Sequence, residues 1–98
     1  MSQFTIMVAG IANAGMEDYV KDYLKRMMEH SRRDKGCVIY NVHQSTHDPR
    51  EFTMYSVWKN KEAFEAHNKR PEVKEFKEKL SHEMFDEQSP KTYWQILE

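Results

Sequence analysis

An α+β fold with the element order β-α-β-β-α-β is what this 98-residue sequence predicts. Three observations carry that expectation. An uncharged apolar run opens the chain at Phe4–Ala12, and one long amphipathic stripe follows over Met16–Arg33. Two β-rich runs, Val38–Ser45 and Phe52–Trp58, then flank a polar turn. A helical region punctuated by Pro71 and a last β-rich run, Thr92–Leu97, complete the order. This is the ferredoxin-like arrangement: a four-stranded antiparallel sheet with its helices on one face.

Each element has its own reason. Phe4–Ala12 is short, contains Ile and Val and carries no charge, so it reads as a strand. Phe4, Ile6 and Val8 fall on one face and Met7, Ala9 and Ile11 on the other. A strand apolar on both faces needs cover on both. A chain this size has helices for one face only, so the second points to a homodimer, two sheets packed face to face. Asn13-Ala14-Gly15 turns the chain into the helix, where Met16, Tyr19, Val20, Tyr23, Leu24, Met27 and Met28 keep helical spacing. Glu17 and Asp18 in its first turn and Arg32, Arg33 and Lys35 at its end complement the helix dipole, and Gly36 suits a left-handed C-terminal position. Thr46–Arg50 makes the two middle strands a hairpin. Asn60 suits the cap of a helix over Lys61–Asn68, with Ala63, Phe64 and His67 inward. Pro71 opens the next helix, whose stripe is Val73, Phe76, Leu80 and Met84, and Ser89-Pro90 ends it.

One domain over residues 1–98 is expected at this length. Net charge is -1 from 15 basic and 16 acidic residues, with no basic stripe, so nucleic acid is not an expected partner. The opening MSQFTIMVAG lacks the basic region and apolar length of a signal peptide or membrane span. A lone Cys37 fits a reducing compartment, and the expected location is cytoplasmic. His67 has no ligand set at metal spacing, so no metal is expected.

A longer pattern runs through the chain: Gly36-Cys37, then Tyr40, Val42, His43, Gln44 and Ser45; Asp48-Pro49, Glu51-Phe52, Tyr55 and Trp58; Ala63-Phe64-Glu65-Ala66-His67; Pro71 and Phe76. In this order and spacing it resembles the antibiotic biosynthesis monooxygenase family, small dimeric α/β-barrel proteins that include quinol monooxygenases. The resemblance implies an oxygenase without flavin, haem or metal. A small aromatic or quinol substrate, once deprotonated, would deliver an electron to O2, while the protein supplies a dry pocket, a base and a polar group for the phenolate. Two positions depart from the family. Ser56 stands where members often carry Glu, and Glu72-Val73 where many carry His-Phe. These departures keep a second reading open, a non-catalytic dimeric small-molecule binding or stress-response module. A third reading is the isomerase branch acting on a phosphorylated signalling sugar, for which Lys69, Arg70 and Lys74 would be the phosphate contacts. The haem-degrading branch is disfavoured, because Ala9, His67 and Lys77 stand near its required positions.

Within that frame His67 and Asn41 are the candidate catalytic pair. His67 lies inward on a short helix, where its ordinary pKa suits a general base. The competing meaning is a buried histidine satisfied by backbone. Asn41, on a strand face with Cys37, Ile39 and His43, would orient the phenolate or else fill an interface. Trp58, Phe64, Tyr55, Ser56 and His43 are the candidate substrate contacts, with core packing the competing role for Trp58 and a dimer contact for Tyr55 and His43. Ser56 and Asn41 are expected near one another across the hairpin. Cys37 reads as a small buried residue, and His30, His47 and His82 as solvent-facing.

Overall fold

The computed structural model describes residues 3–97, so the residue 1, 2 and 98 ends of the expected domain lie outside the described residues. Its elements are β1 (Phe4–Ala12), α1 (Glu17–Arg32), β2 (Cys37–Gln44), β3 (Glu51–Trp58), α2 (Lys61–Lys69), α3 (Pro71–Lys79), β4 (Phe85–Gln88) and β5 (Thr92–Gln95). The fold is α+β and ferredoxin-like, and the sheet is antiparallel and open, not closed into a barrel within the chain. It has five strands, one more than expected, in the order β2-β3-β1-β4 with β5 also on β1.

The fifth strand comes from the end of the chain. Leu80–Met84 forms a single π turn and not the last turns of a longer helix, because Leu80 and Met84 both stay buried while the backbone swings toward the sheet. Phe85–Gln88 then pairs with the C-terminal half of β1, and Thr92–Gln95 with its N-terminal half. One edge position is thus filled by two short strands with Ser89-Pro90-Lys91 between them. Pro90 cannot donate to a ladder. Ser89 mends the join: its N–H donates to the Ala9 carbonyl at 2.8 Å, and its Oγ accepts from the Ala9 N–H at 2.8 Å.

The core lies between the sheet and the helices. Register places Phe4, Ile6 and Val8 of β1 beside Trp58, Ser56 and Met54 of β3, all on the helical face. Val20 and Leu24 of α1 are fully buried against them, contributing roughly 1.5–3 kcal/mol each. The opposite face carries Met7, Ile39 and Trp94, which are 37 %, 37 % and 54 % exposed, together with Tyr55 and Asn41.

A bulge at Val38 changes the parity of β2. Cys37 pairs with Trp58 but Ile39 pairs with Val57, so Cys37 leaves the face that Ile39, Asn41 and His43 share. Cys37 is half-buried, and burial pushes its thiol pKa up. Gly36, beside it, sits at φ 90° in the turn after α1, beyond the helix end itself, and a Cβ there would meet the Ala63 Cβ at 2.8 Å. Gly36→Ala is therefore expected to cost about 1–3 kcal/mol, read as a lower urea midpoint; an unchanged midpoint would mean that the turn and α2 move apart freely.

Candidate functional site

A cavity opens between α2, α3 and the helical face of the sheet. Its lining includes Tyr40, Ser56, Phe64, His67, Lys77 and Lys91, over an apolar floor of Ile6, Val8, Met54 and Leu80. The space open to the centre of a water molecule is about 50 Å³. At roughly 10–15 Å³ per water on that measure, it suits one small ring more than an extended ligand.

His67 is 3 % exposed. Asn60 caps α2 by accepting from the Ala63 N–H at 2.8 Å, which fixes the helix that turns Phe64 and His67 inward. Trp58 packs its ring 4.5 Å from the imidazole. Asp34, from the turn after α1, takes the ring's polar side: His67 Nδ1 donates to Asp34 Oδ2 at 2.5 Å. The other Asp34 oxygen is ion-paired with Arg70 Nη1. Arg70 also approaches His30 Nε2 at 3.1 Å and Glu72 Oε2 at 3.5 Å. Nδ1 is thereby committed, and Nε2 has no hydrogen-bond partner among the described residues.

Electrostatics fix the protonation state. Burial holds the His67 pKa down at about 4, with Lys77, His30 and Lys91 pushing the same way. The Asp34 carboxylate that Nδ1 contacts is itself ion-paired with Arg70. A neutral imidazole with its proton on Nδ1 follows, leaving the Nε2 lone pair as a base. Burial pushes the Tyr40 phenol up to about 12, so it stays a hydroxyl donor at neutral pH. The Lys77 ammonium is lowered to about 7, first by burial and then by Lys91.

The expected site residues divide between two faces. His67, Phe64 and Ser56 line the cavity together. Trp58 does not; it is fully buried behind His67, and its Nε1–H donates to Ser56 Oγ at 3.1 Å. Asn41, Tyr55 and His43 lie on the far side of the sheet. Asn41 pairs with Tyr55, not Ser56, and its Oδ1 accepts from Arg32 Nη2 at 2.7 Å. Tyr40, one residue earlier, pairs with Ser56 and takes the cavity position expected of Asn41. His43, His47 and His82 are exposed, but His30 is half-buried against Arg70 and the Phe76 ring, against the solvent-facing expectation. Arg70 likewise serves Asp34 and is not a free phosphate contact.

Sequence reasoning missed Asp34, Tyr40, Lys77 and Lys91. Tyr40 had a usable signal, since it alternates with Val42. Asp34 had none locally, being 33 residues from His67.

Comparison with known proteins bears on this geometry. The family described as antibiotic biosynthesis monooxygenase matches residues 4–79, which include β1, the turn bearing Asp34, and His67. The chain belongs to the antibiotic biosynthesis monooxygenase family. A curated relative, uncharacterized protein sll1783 of Synechocystis sp. (strain ATCC 27184 / PCC 6803 / Kazusa), is 33% identical over 52 residues. That match spans 53% of this chain but only 35% of the relative's length. Protein SO0527 of Shewanella oneidensis superposes with a TM-score of 0.89 at 17% identity, covering 97% of this chain and 91% of that one. A conserved protein of unknown function from Bacteroides thetaiotaomicron superposes at 0.88 with 19% identity, covering 97% and 98%. A conserved protein from Methanosarcina mazei Go1 superposes at 0.86 with 21% identity, covering 96% and 92%. At these identities the likeness shows the fold alone. Among the described residues no helix is long and apolar enough to cross a membrane.

Proposed function

We propose that the protein is a cofactor-independent monooxygenase of a small aromatic or quinol substrate, with His67 as its general base. The observation that carries this reading is the buried Asp34–His67 pair, which leaves one imidazole nitrogen unprotonated at an apolar cavity of about 50 Å³. The substrate loses a proton to His67 Nε2, and the resulting anion reduces O2. One oxygen atom enters the ring and the other leaves as water. For a dihydroxyarene, the four electrons required come from its oxidation to a hydroxyquinone.

A magnitude shows what else the site must supply. A phenol at about 10 and His67 at about 4 differ by roughly 6 units, or about 8 kcal/mol against full proton transfer. His67 alone would leave almost no phenolate. Lys77 and Lys91 offset this gap, because the cations that disfavour imidazolium also favour an anion beside it. Tyr40, and not Asn41, is the β2 side chain that lines this cavity.

Oxygen uptake with a panel of reduced quinones tests the reading. Uptake dependent on the protein supports it; none with any quinol leaves the binding-module reading ahead, which the Ser56 and Glu72 departures favour. The sugar-phosphate isomerase reading loses support, since Arg70 is occupied by Asp34.

The same proposal includes a homodimer, formed through the sheet face that carries Met7, Ile39, Tyr55 and Trp94. Three of these are exposed large hydrophobics, and a paired interface on this face would bury on the order of 2,000 Å² in total. Tyr55 and His43 then become dimer contacts, and Asn41 an interface polar group. Sedimentation at micromolar concentration is expected to show a dimer, and Ile39→Asp to shift it toward monomer. A monomeric wild type would exclude this arrangement.

A further inference from the structure

The cavity's cationic rim holds two ammonium groups, and the single phenolate formed at His67 answers only one of them. Lys77 comes from α3, and Lys91 from the segment joining β4 to β5. Both line the cavity, with their ammonium nitrogens 5.5 Å and 6.0 Å from the centre of the Phe64 ring. Among the described residues neither is ion-paired with a carboxylate, yet both are half-buried where the chain's other lysines are exposed. The polar partner of Lys77 besides Lys91, among the described residues, is the neutral Asn68 Oδ1. Two like charges at the mouth of an apolar cavity oppose each other, and burial penalises the inner one.

We propose that Lys77 and Lys91 form an anion-binding subsite at the cavity mouth, and that the ring bound there carries a carboxylate. This deepens the functional reading above and rests on its assignment of the cavity as the substrate site. An anion between the two ammonium groups removes their repulsion and returns to Lys77 the charge that burial and Lys91 disfavour, its pKa standing at about 7 without a ligand. Lys91 is held for this role by the join between β4 and β5. The two Ser89 hydrogen bonds to Ala9 pin the segment against β1 just before Pro90 and Lys91. A phosphate fits less well: the lining offers no arginine fork, and the apolar floor takes a flat ring with a planar substituent. The groups facing Lys77 are Lys91 from the β4–β5 segment, Asn68 and His67 from α2, and the Phe64 face. None of them is acidic, so the subsite is cationic below its titration and weakens above it.

The test is calorimetric binding of 4-hydroxybenzoate against its neutral isostere 4-hydroxybenzamide, with the full chain in low salt at about pH 6, below the Lys77 titration. The carboxylate is expected to bind about tenfold tighter or more, the range for charge-assisted hydrogen bonds. That preference should vanish in the Lys77→Gln, Lys91→Gln double variant while benzamide binding persists. At about pH 8 the benzoate should bind with proton uptake, seen as an enthalpy that depends on the buffer's ionisation heat, because Lys77 regains its proton. Equal affinities, binding of neither ligand, or a preference kept by the double variant would overturn the subsite. Displacement of the benzoate by inorganic phosphate at comparable strength would also overturn the carboxylate assignment. The two readings fail separately. Oxygen uptake on neutral quinols without a carboxylate preference sinks the subsite alone, whereas carboxylate binding with no oxygen uptake on any quinol sinks the oxygenase alone.

Discussion

Replacing His67 with Gln or Ala is expected to lower protein-dependent oxygen uptake by roughly 10²–10⁴, the usual range for loss of a positioned acid or base. The imidazole, at about 4, is the cavity base that is wholly unprotonated at neutral pH, whereas Lys77, at about 7, is only partly so. Tyr40 is held as a phenol with its pKa at about 12, and Ser56 Oγ already accepts from Trp58. Gln preserves a donor toward Asp34, so His67→Gln keeps the fold, whereas Ala leaves a cavity and an unshared carboxylate oxygen. The wild-type rate should fall as pH drops toward about 4, where Nε2 becomes protonated. Stability follows with the same sign. The folded pKa of about 4 lies below the usual 6.5, so the unfolded chain binds more protons between these values. Stability is fully present above about 6.5 and declines on acidification to about 4. Equal oxygen uptake by wild type and His67→Gln would remove His67 from the mechanism. Unfolding of the Gln variant would make the histidine structural.

How much of this was legible in the sequence depends on distance along the chain. The β-α-β-β-α-β order, the hairpin and the inward pair Phe64 and His67 all follow from local periodicity, and all appear in the fold. What periodicity could not supply was parity across an irregularity. A single bulge at Val38 means that alternation read from Cys37 assigns it the wrong companions. The register then places Tyr40 beside Ser56, and Asn41 falls on the far face. A second failure concerns Leu80 and Met84. Their helical spacing suggested a continuing α-helix, but a π turn buries the same two residues and releases Phe85–Gln88 as an edge strand. Only that release brings Lys91 to the cavity. Asp34 reaches His67 through the turn that Gly36 permits, a tertiary contact with no local trace. Its neighbours Arg32, Arg33 and Lys35 masked it as part of a charged helix end.

Asp34→Asn should be nearly as damaging to activity as loss of His67, through a different cause. Asp34 is a positioning residue: its carboxylate can only accept from Nδ1, so the cavity nitrogen must be the unprotonated one. Asparagine offers an amide N–H as well. It can donate to Nδ1, which moves the ring proton to Nε2 and turns the base into a donor aimed at the substrate. The expected loss is about 10²–10⁴ in rate, comparable to other wrong-tautomer substitutions. The substitution also leaves Arg70 with Glu72 as its remaining ion-pair partner, costing about 1–3 kcal/mol in stability. That second effect would confuse the result, so Arg70→Gln is the control. It breaks the same ion pair from the other side, yet keeps the carboxylate on His67 Nδ1. Its melting temperature should fall about as far as that of Asp34→Asn, while its rate stays within a few-fold of wild type. The pH profile separates the two further. Arg70→Gln removes the cation that shares the Asp34 charge, so the carboxylate acts on His67 more strongly and the acid limb should move upward. Asp34→Asn should instead lack the limb, because no base remains to protonate. If both variants lost activity in proportion to their lost stability, with the acid limb unmoved, Asp34 would be a structural ion-pair partner and nothing more.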